Sequence, residues 1–398
     1  MARHYSTRSF FRQIPNDLLA RYFEGRGLFG DLDFPAIQET RSNELYEAWL
    51  EVPEDQRNAM RAEFREIFEM ACEKGVWAIL DEARWQWRDD PERLTGFIEM
   101  LSALPGHYHR AMITCLDHPE CWRGAIRFHH ADTLPYWRKR KHMGHRPAQM
   151  DAASLEQLAD LVRTYFHRNE GRGKHCLVEA CRRGELDYFF AYPEDYSRQQ
   201  IEWVKGAFDQ RPHNPIFEVV FVYSQQEGTL DLNFRGPYRA VEPLQGMFAM
   251  AILKQDRLPP DPDDERVYDL DPLRQRSFSF VYDVGSGIER VAVSKLRFSS
   301  RVRKGDRITV EADAFNDPEA VYDLLEMVGR CLPLNLYSVT QVELVAFVAA
   351  DANQPTKPVS IRITCPNSCS LKYDERDLKL RAMLEASGIE LKEPSRKN

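Results

Sequence analysis

Ile216-Phe217-Glu218-Val219-Val220-Phe221-Val222-Tyr223, a turn at Gly228, then Thr229-Leu230-Asp231-Leu232-Asn233-Phe234: in this stretch the hydrophobic period of the chain becomes two. Side chains two apart share one face of a strand, whereas helical neighbours recur at three and four. The stretch therefore reads as a β-hairpin, and Pro215 just before it as the place where helices give way to strands.

Downstream the same order returns. The hairpin is followed by a helical pattern from Val241 to Leu253. Val291 to Phe298, a basic turn with Gly305, and the alternation Ile308, Val310, Ala312 then lead into a helix announced by Asp317-Pro318. Val342 to Ala349, a loop with Pro355 and Pro358, the alternation Val359, Ile361, Ile363 and a helix from Asp377 to Ala386 complete a third set. Three tandem ββα units are expected, with an antiparallel sheet covered by helices on one face. An extra strand is expected at Phe278, Phe280 and Tyr282, and a loop from Leu258 to Glu265.

Upstream, Pro53-Glu54-Asp55 starts a helix whose stripe is Met60, Phe64, Ile67, Phe68 and Ala71, with Gly75 as its stop. A second helix begins near Ser154, carries Leu158, Val162 and Phe166, and ends before Gly171. A third is expected from Ser197 through Ile201, Val204 and Phe208. The fold class is α+β: a helical domain over 1–105, a helical, basic and His-rich region over 106–212, and an α+β domain of ββα repeats over 213–398.

With 398 residues, of which 43% are hydrophobic, the chain can bury more than one core. Its longest apolar stretches fall short of the roughly 20 residues of a membrane-spanning helix. Met1 to Arg8 is polar and no secretory apolar core follows it. The eight cysteines are scattered rather than dense, which suits free thiols, so a soluble protein of the cytoplasm is expected. The net charge is −8, yet from Cys121 to Glu185 thirteen Lys/Arg face seven Asp/Glu, a local +6 that leaves −14 elsewhere.

Within that basic region the run Tyr136-Trp137-Arg138-Lys139-Arg140-Lys141 joins cations to aromatics, a pairing that can meet phosphates and stack on bases. With Arg146, Arg168, Arg172 and Lys174 it forms the candidate surface for nucleic acid or another anion. The bland alternative is a solvated face balancing the acidic remainder. Cys115, His118 and Cys121 form a candidate zinc set, since thiolate and imidazole suit Zn²⁺. On one continuous helix, however, Cys115 and Cys121 would lie about 9 Å apart along the axis, and only a break at Pro119 could bring them together. Cys365 and Cys369 read as a turn with one core cysteine. Gly25-Arg26-Gly27-Leu28-Phe29-Gly30 matches a dinucleotide pattern in letters, but a helix precedes it where a strand is required. No nucleophile elbow, H-E-x-x-H, Walker A loop or zinc deaminase signature occurs.

These features point to a non-catalytic binding or adaptor subunit of a cytoplasmic multi-protein system, with a protein partner, no membrane and no cofactor. Nucleic-acid binding (DNA or RNA) through 137–174 is the alternative. A metal-dependent, nuclease-like enzyme using strand carboxylates such as Glu218, Asp231, Glu311 and Glu343 is the third.

Overall fold

The computed structural model describes residues 4–39, 43–135, 137–204, 206–260, 266–349 and 356–391. Tyr136, Pro355 and residues 261–265 of the expected loop lie outside them. Two compact units are formed, 1–133 and 134–398. The change of period at Pro215 falls inside the second.

The first unit holds α1 (Thr7–Phe11), α2 (Asn16–Glu24), α3 (Asn43–Leu50), α4 (Glu54–Met70), α5 (Glu73–Gln86), α6 (Pro91–Ala103), α7 (His107–Asp117) and α8 (Pro119–Thr133). Side-chain caps set several boundaries. The Ser6 hydroxyl accepts from Ser9 N at 3.1 Å, and Asp90 accepts from Arg93 N at 3.1 Å ahead of Pro91. The stripe of α4 is buried at Met60, Phe64 and Ile67. Phe64 stacks on Phe10 with centroids 4.9 Å apart and meets Phe11 edge-on at 5.5 Å. Full burial of each such ring contributes about 1.5–3 kcal/mol. α4 stops at Met70, and Gly75 lies in the first turn of α5 rather than ending α4. Gly25 caps α2, the helix-end reading of the glycine-rich stretch.

The second unit comprises β1 (Trp137–Arg140), α9 (Ala152–Glu170), β2 (Cys176–Arg183), β3 (Leu186–Pro193), β4 (Arg198–Val204), β5 (Ala207–His213), β6 (Val219–Ser224), β7 (Thr229–Phe234), α10 (Val241–Ala251), β8 (Ile288–Ser300), β9 (Arg307–Glu311), α11 (Ala320–Gly329), β10 (Tyr337–Val348), β11 (Lys357–Thr364), β12 (Ser368–Cys369) and α12 (Glu375–Ala386). Ten strands form one sheet in the order β2-β3-β6-β7-β1-β12-β11-β10-β8-β9. Each pairing is antiparallel. β1, only four residues long, joins the two halves of this sheet. Strand, strand, helix recurs in the order of elements, while β1 and β12 stand between the first such set and the others.

Two cores lie against the sheet. Leu158, Val162 and Phe166 of α9 and Phe248 of α10 pack with Leu230 and Leu232 of β7. Leu325 of α11 and Leu380 and Leu384 of α12 pack with Val342, Leu344, Ile361 and Ile363. Every residue of β6 and β7 is buried, so the half-exposed face expected for the first hairpin is absent there; β9 and β11 do alternate between exposed and buried positions.

Two further expectations fail. Residues 278–282 form no strand; their rings pack on the second core, and Val281 N donates to Ser387 Oγ at 2.9 Å instead of to a ladder. The helix expected from Ser197 to Phe208 is the hairpin β4–β5, paired from Arg198↔His213 to Val204↔Ala207. Among the described residues, no helix is long and apolar enough to cross a membrane.

Candidate functional site

The cationic run lies in the middle of the sheet. Trp137 is 2% exposed, Lys139 4% and Arg140 8%, so the backbone pairing of β1 places three of these side chains away from water. Lys139 Nζ donates to Glu390 Oε1 at 2.8 Å and to Glu227 Oε2 at 3.2 Å. In register with Lys139 stands Asp231, which accepts from the Tyr373 hydroxyl. Burial alone would push the Lys139 ammonium down, but Glu390 and Asp231 hold it above its usual value. Burial pushes the Asp231 carboxyl up despite Lys139 and Arg381. Arg381, with its guanidinium 4.4 Å from the centre of the Tyr373 ring, donates to the Lys372 carbonyl at 3.0 Å and the Leu371 carbonyl at 2.9 Å.

The neighbouring cations are engaged as well. Arg140 donates to Gln245 Oε1 at 3.2 Å and to the Pro259 carbonyl at 2.8 Å. Arg138 reaches the Phe234 carbonyl at 3.4 Å, Lys141 the Leu391 carbonyl, and Arg146 the Lys254 carbonyl at 2.7 Å. Beyond α9, Gly171 caps the helix at φ 70°. Arg172 then bridges Glu170 and Asp195, each at 2.8 Å, and lies 3.9 Å from the Phe217 ring centre. Arg168 and Lys174 are exposed.

Cys115, His118 and Cys121 are not brought together: among the described residues, no three His, Cys, Asp or Glu side chains are grouped to hold an ion. The break between α7 and α8 exists at His118-Pro119, but the His118 ring turns into an aromatic niche, 4.8 Å from Phe97 and 5.7 Å from Trp87. Burial pushes the Cys115 and Cys121 thiols up to about 12. The strand carboxylates are likewise dispersed. Asp231 is buried, and Glu311 and Glu343 both pair with Lys295, at 2.8 and 3.7 Å. Cys365 half-buries against Tyr268, whose carbonyl accepts from it at 3.4 Å, and Cys369 is buried in β12.

The feature that sequence reading missed is the β4–β5 arm. The pairing of β3 with β6 ends at Ala191↔Val219, a single bridge joins Glu194 to Ile216, and the chain then runs out as a separate two-stranded sheet. One face carries Gln199, Ile201 and Trp203 opposite Pro212, Gln210 and Phe208, with no charge among them. Trp203 is 71% exposed, Ile201 61% and Phe208 60%, and the two rings meet edge-on at 5.9 Å. The other face holds Glu202, Asp209 and Arg211, with Arg211 2.6 Å from Glu202. The signal was present: Ile201 and Trp203 alternate with Gln200 and Glu202, and Gly206 supplies the turn at φ 78°.

Neither a family model nor a curated protein matches this chain.

Proposed function

We propose that this protein is a non-catalytic binding or adaptor subunit that engages a protein partner through the β4–β5 arm. The observation that carries the reading is the exposed, uncharged Ile201–Trp203–Phe208 face. A two-stranded hairpin standing alone is marginally stable in water, and Trp at the centre of an apolar patch is the residue type on which protein interfaces concentrate their energy. The cationic run supports the same ranking, because Lys139 and Arg140 spend their charge inside the second unit. Nucleic-acid binding through 137–174 is the second reading, favoured by the exposed side chains of Arg168 and Lys174. The reading places the protein in the cytoplasm, where its eight free cysteines would stay reduced. It also takes the recurring strand-strand-helix order as internal repetition.

The test is affinity purification of the full chain beside a Trp203→Ser/Phe208→Ser variant, with and without nuclease. A protein retained by the parent and lost by the folded variant is expected. Equal retention by both, or retention that nuclease abolishes, overturns the arm as the contact.

A further inference from the structure

A second surface, on the other half of the sheet, carries one pair of arginines without a carboxylate partner. Along β8, β9, β10 and β11, the side chains of Leu296, Phe298, Val310 and Val342 point into the core. Those between them face outward, and they form rows across the strands. One row is a closed ladder of charges: Glu311 to Lys295 at 2.8 Å, Lys295 to Glu343 at 3.7 Å, and Glu343 to Arg362 at 2.8 Å. Each cation there has a carboxylate.

Two residues nearer the β8–β9 turn the carboxylates disappear. Thr309 stands opposite Arg297, which stands opposite Gln341; in the next row Arg307 stands opposite Ser299. Arg297 and Arg307 are thus diagonal neighbours on one face. Among the described residues neither guanidinium has an ion pair, and the buried Nε of Arg297 has no hydrogen-bond partner. Burial, and after it the neighbouring Arg307, hold Arg297 below its usual basicity. A bulge at Thr340 interrupts the register between Val339 and Gln341 and brings its hydroxyl, which donates to the Arg297 carbonyl at 3.3 Å, to 2.9 Å from that of Ser299, beside the same pair. The turn adds Arg303, which pairs with Asp306 at 3.9 Å while its side chain stays 82% exposed, and the exposed Lys304.

We propose that Arg297 and Arg307, with the Ser299 hydroxyl beside them, form a binding site for a phosphate-bearing anion. A carboxylate would neutralise one guanidinium, whereas a terminal phosphate carries about −1.5 to −2 charge and three acceptor oxygens, enough for both forks, and two successive backbone diesters supply one charge each. Arg303 and Lys304 extend the field along the turn, so the phosphate belongs either to a small polyphosphate or to a nucleic-acid backbone. This site is independent of the arm.

The experiment is calorimetric titration of the full chain with inorganic tripolyphosphate and, separately, with a short oligothymidylate at low salt. The parent is expected to bind at least one of them, and Arg297→Gln/Arg307→Gln to weaken that binding by at least about tenfold, roughly 1.4 kcal/mol. Arg307→Gln alone, at an exposed position, is the second variant should the double one fail to fold. Arg362→Gln removes a cation that Glu343 already neutralises and should leave affinity unchanged. Binding of tripolyphosphate assigns the site to small polyphosphates. Binding of the oligonucleotide alone, with a log-log salt slope that falls by about 1.4 in the double variant, assigns it to a nucleic-acid backbone. Binding of neither probe, undiminished binding by the Arg307→Gln variant, or equal loss in Arg362→Gln overturns the proposal.

Discussion

Lys139 Nζ stands 2.8 Å from Glu390 Oε1 across 251 positions of sequence, tying the four-residue joint of the sheet to the chain that follows α12. Both side chains are largely withdrawn from water, at 5% and 13% exposure, so removing one strands the other. Lys139→Met should cost about 3–5 kcal/mol, and Lys139→Met/Glu390→Gln should recover part of it, because the penalty is an unpaired buried charge. Burial pushes the Glu390 carboxyl up, but Lys139 and Arg381 outweigh it and hold the group below its usual 4.5. Its contribution is therefore complete above that value and is lost as pH falls through the lowered range. Urea titrations should show the gap between parent and Lys139→Met narrowing in acid; a gap constant with pH would sink the assignment.

Gly75 reverses the usual helix rule. In the interior of a helix Gly→Ala ordinarily stabilises by roughly 0.5–1 kcal/mol. A Cβ at Gly75 would lie 2.0 Å from the Met70 carbonyl oxygen and 2.6 Å from its carbon, backbone atoms that cannot swing aside. The Gly75 N–H also donates to Cys72 Sγ at 3.4 Å, fixing the start of α5. Gly75→Ala should destabilise by about 1–3 kcal/mol as an overpacking change. Thermal melts decide it, and a raised midpoint would show that α4 and α5 do not approach this closely.

Much of the fold was legible because burial writes its period into the sequence. Met60, Phe64 and Ile67 gave a helix, Leu230 and Leu232 a strand, and the structure buries all five. Where neighbours rather than period decide, the reading failed. Trp137-Arg138-Lys139-Arg140 carries no apolar alternation, and becomes a strand because β7 and β12 hold its backbone on either side. Its lysine looked like surface because its partner carboxylate lies 251 residues away. In the arm, Ile201, Val204 and Phe208 happen to fall at helical intervals although Ile201 and Trp203 share a strand face, and with both faces open no burial arbitrates between the two periods. The Arg297–Arg307 pair was hidden for a different reason: ten positions apart, they meet only through the register of β8 and β9.

Arg172 offers the sharpest contrast between a cation displayed and a cation consumed. In sequence it sits in Gly171-Arg172-Gly173-Lys174, a loop suited to presenting charge to an anion. In the fold its side chain is 11% exposed, holds two carboxylates of its own unit and stacks on Phe217. A lysine supplies one point charge and no planar face, so Arg172→Lys should cost about 1.5–3 kcal/mol even though net charge is unchanged. Burial raises the Asp195 carboxyl, but the Arg172 hydrogen bond and the Tyr196 backbone N–H hold it below its usual 3.8. That contribution is present above 3.8 and is lost as pH falls through the lowered range, and without the guanidinium the loss should begin at higher pH. Urea midpoints followed from neutral pH into acid would show both effects in the variant. A variant as stable as the parent throughout would mean that Arg172 is free to serve an external anion, and would return this loop to the nucleic-acid reading.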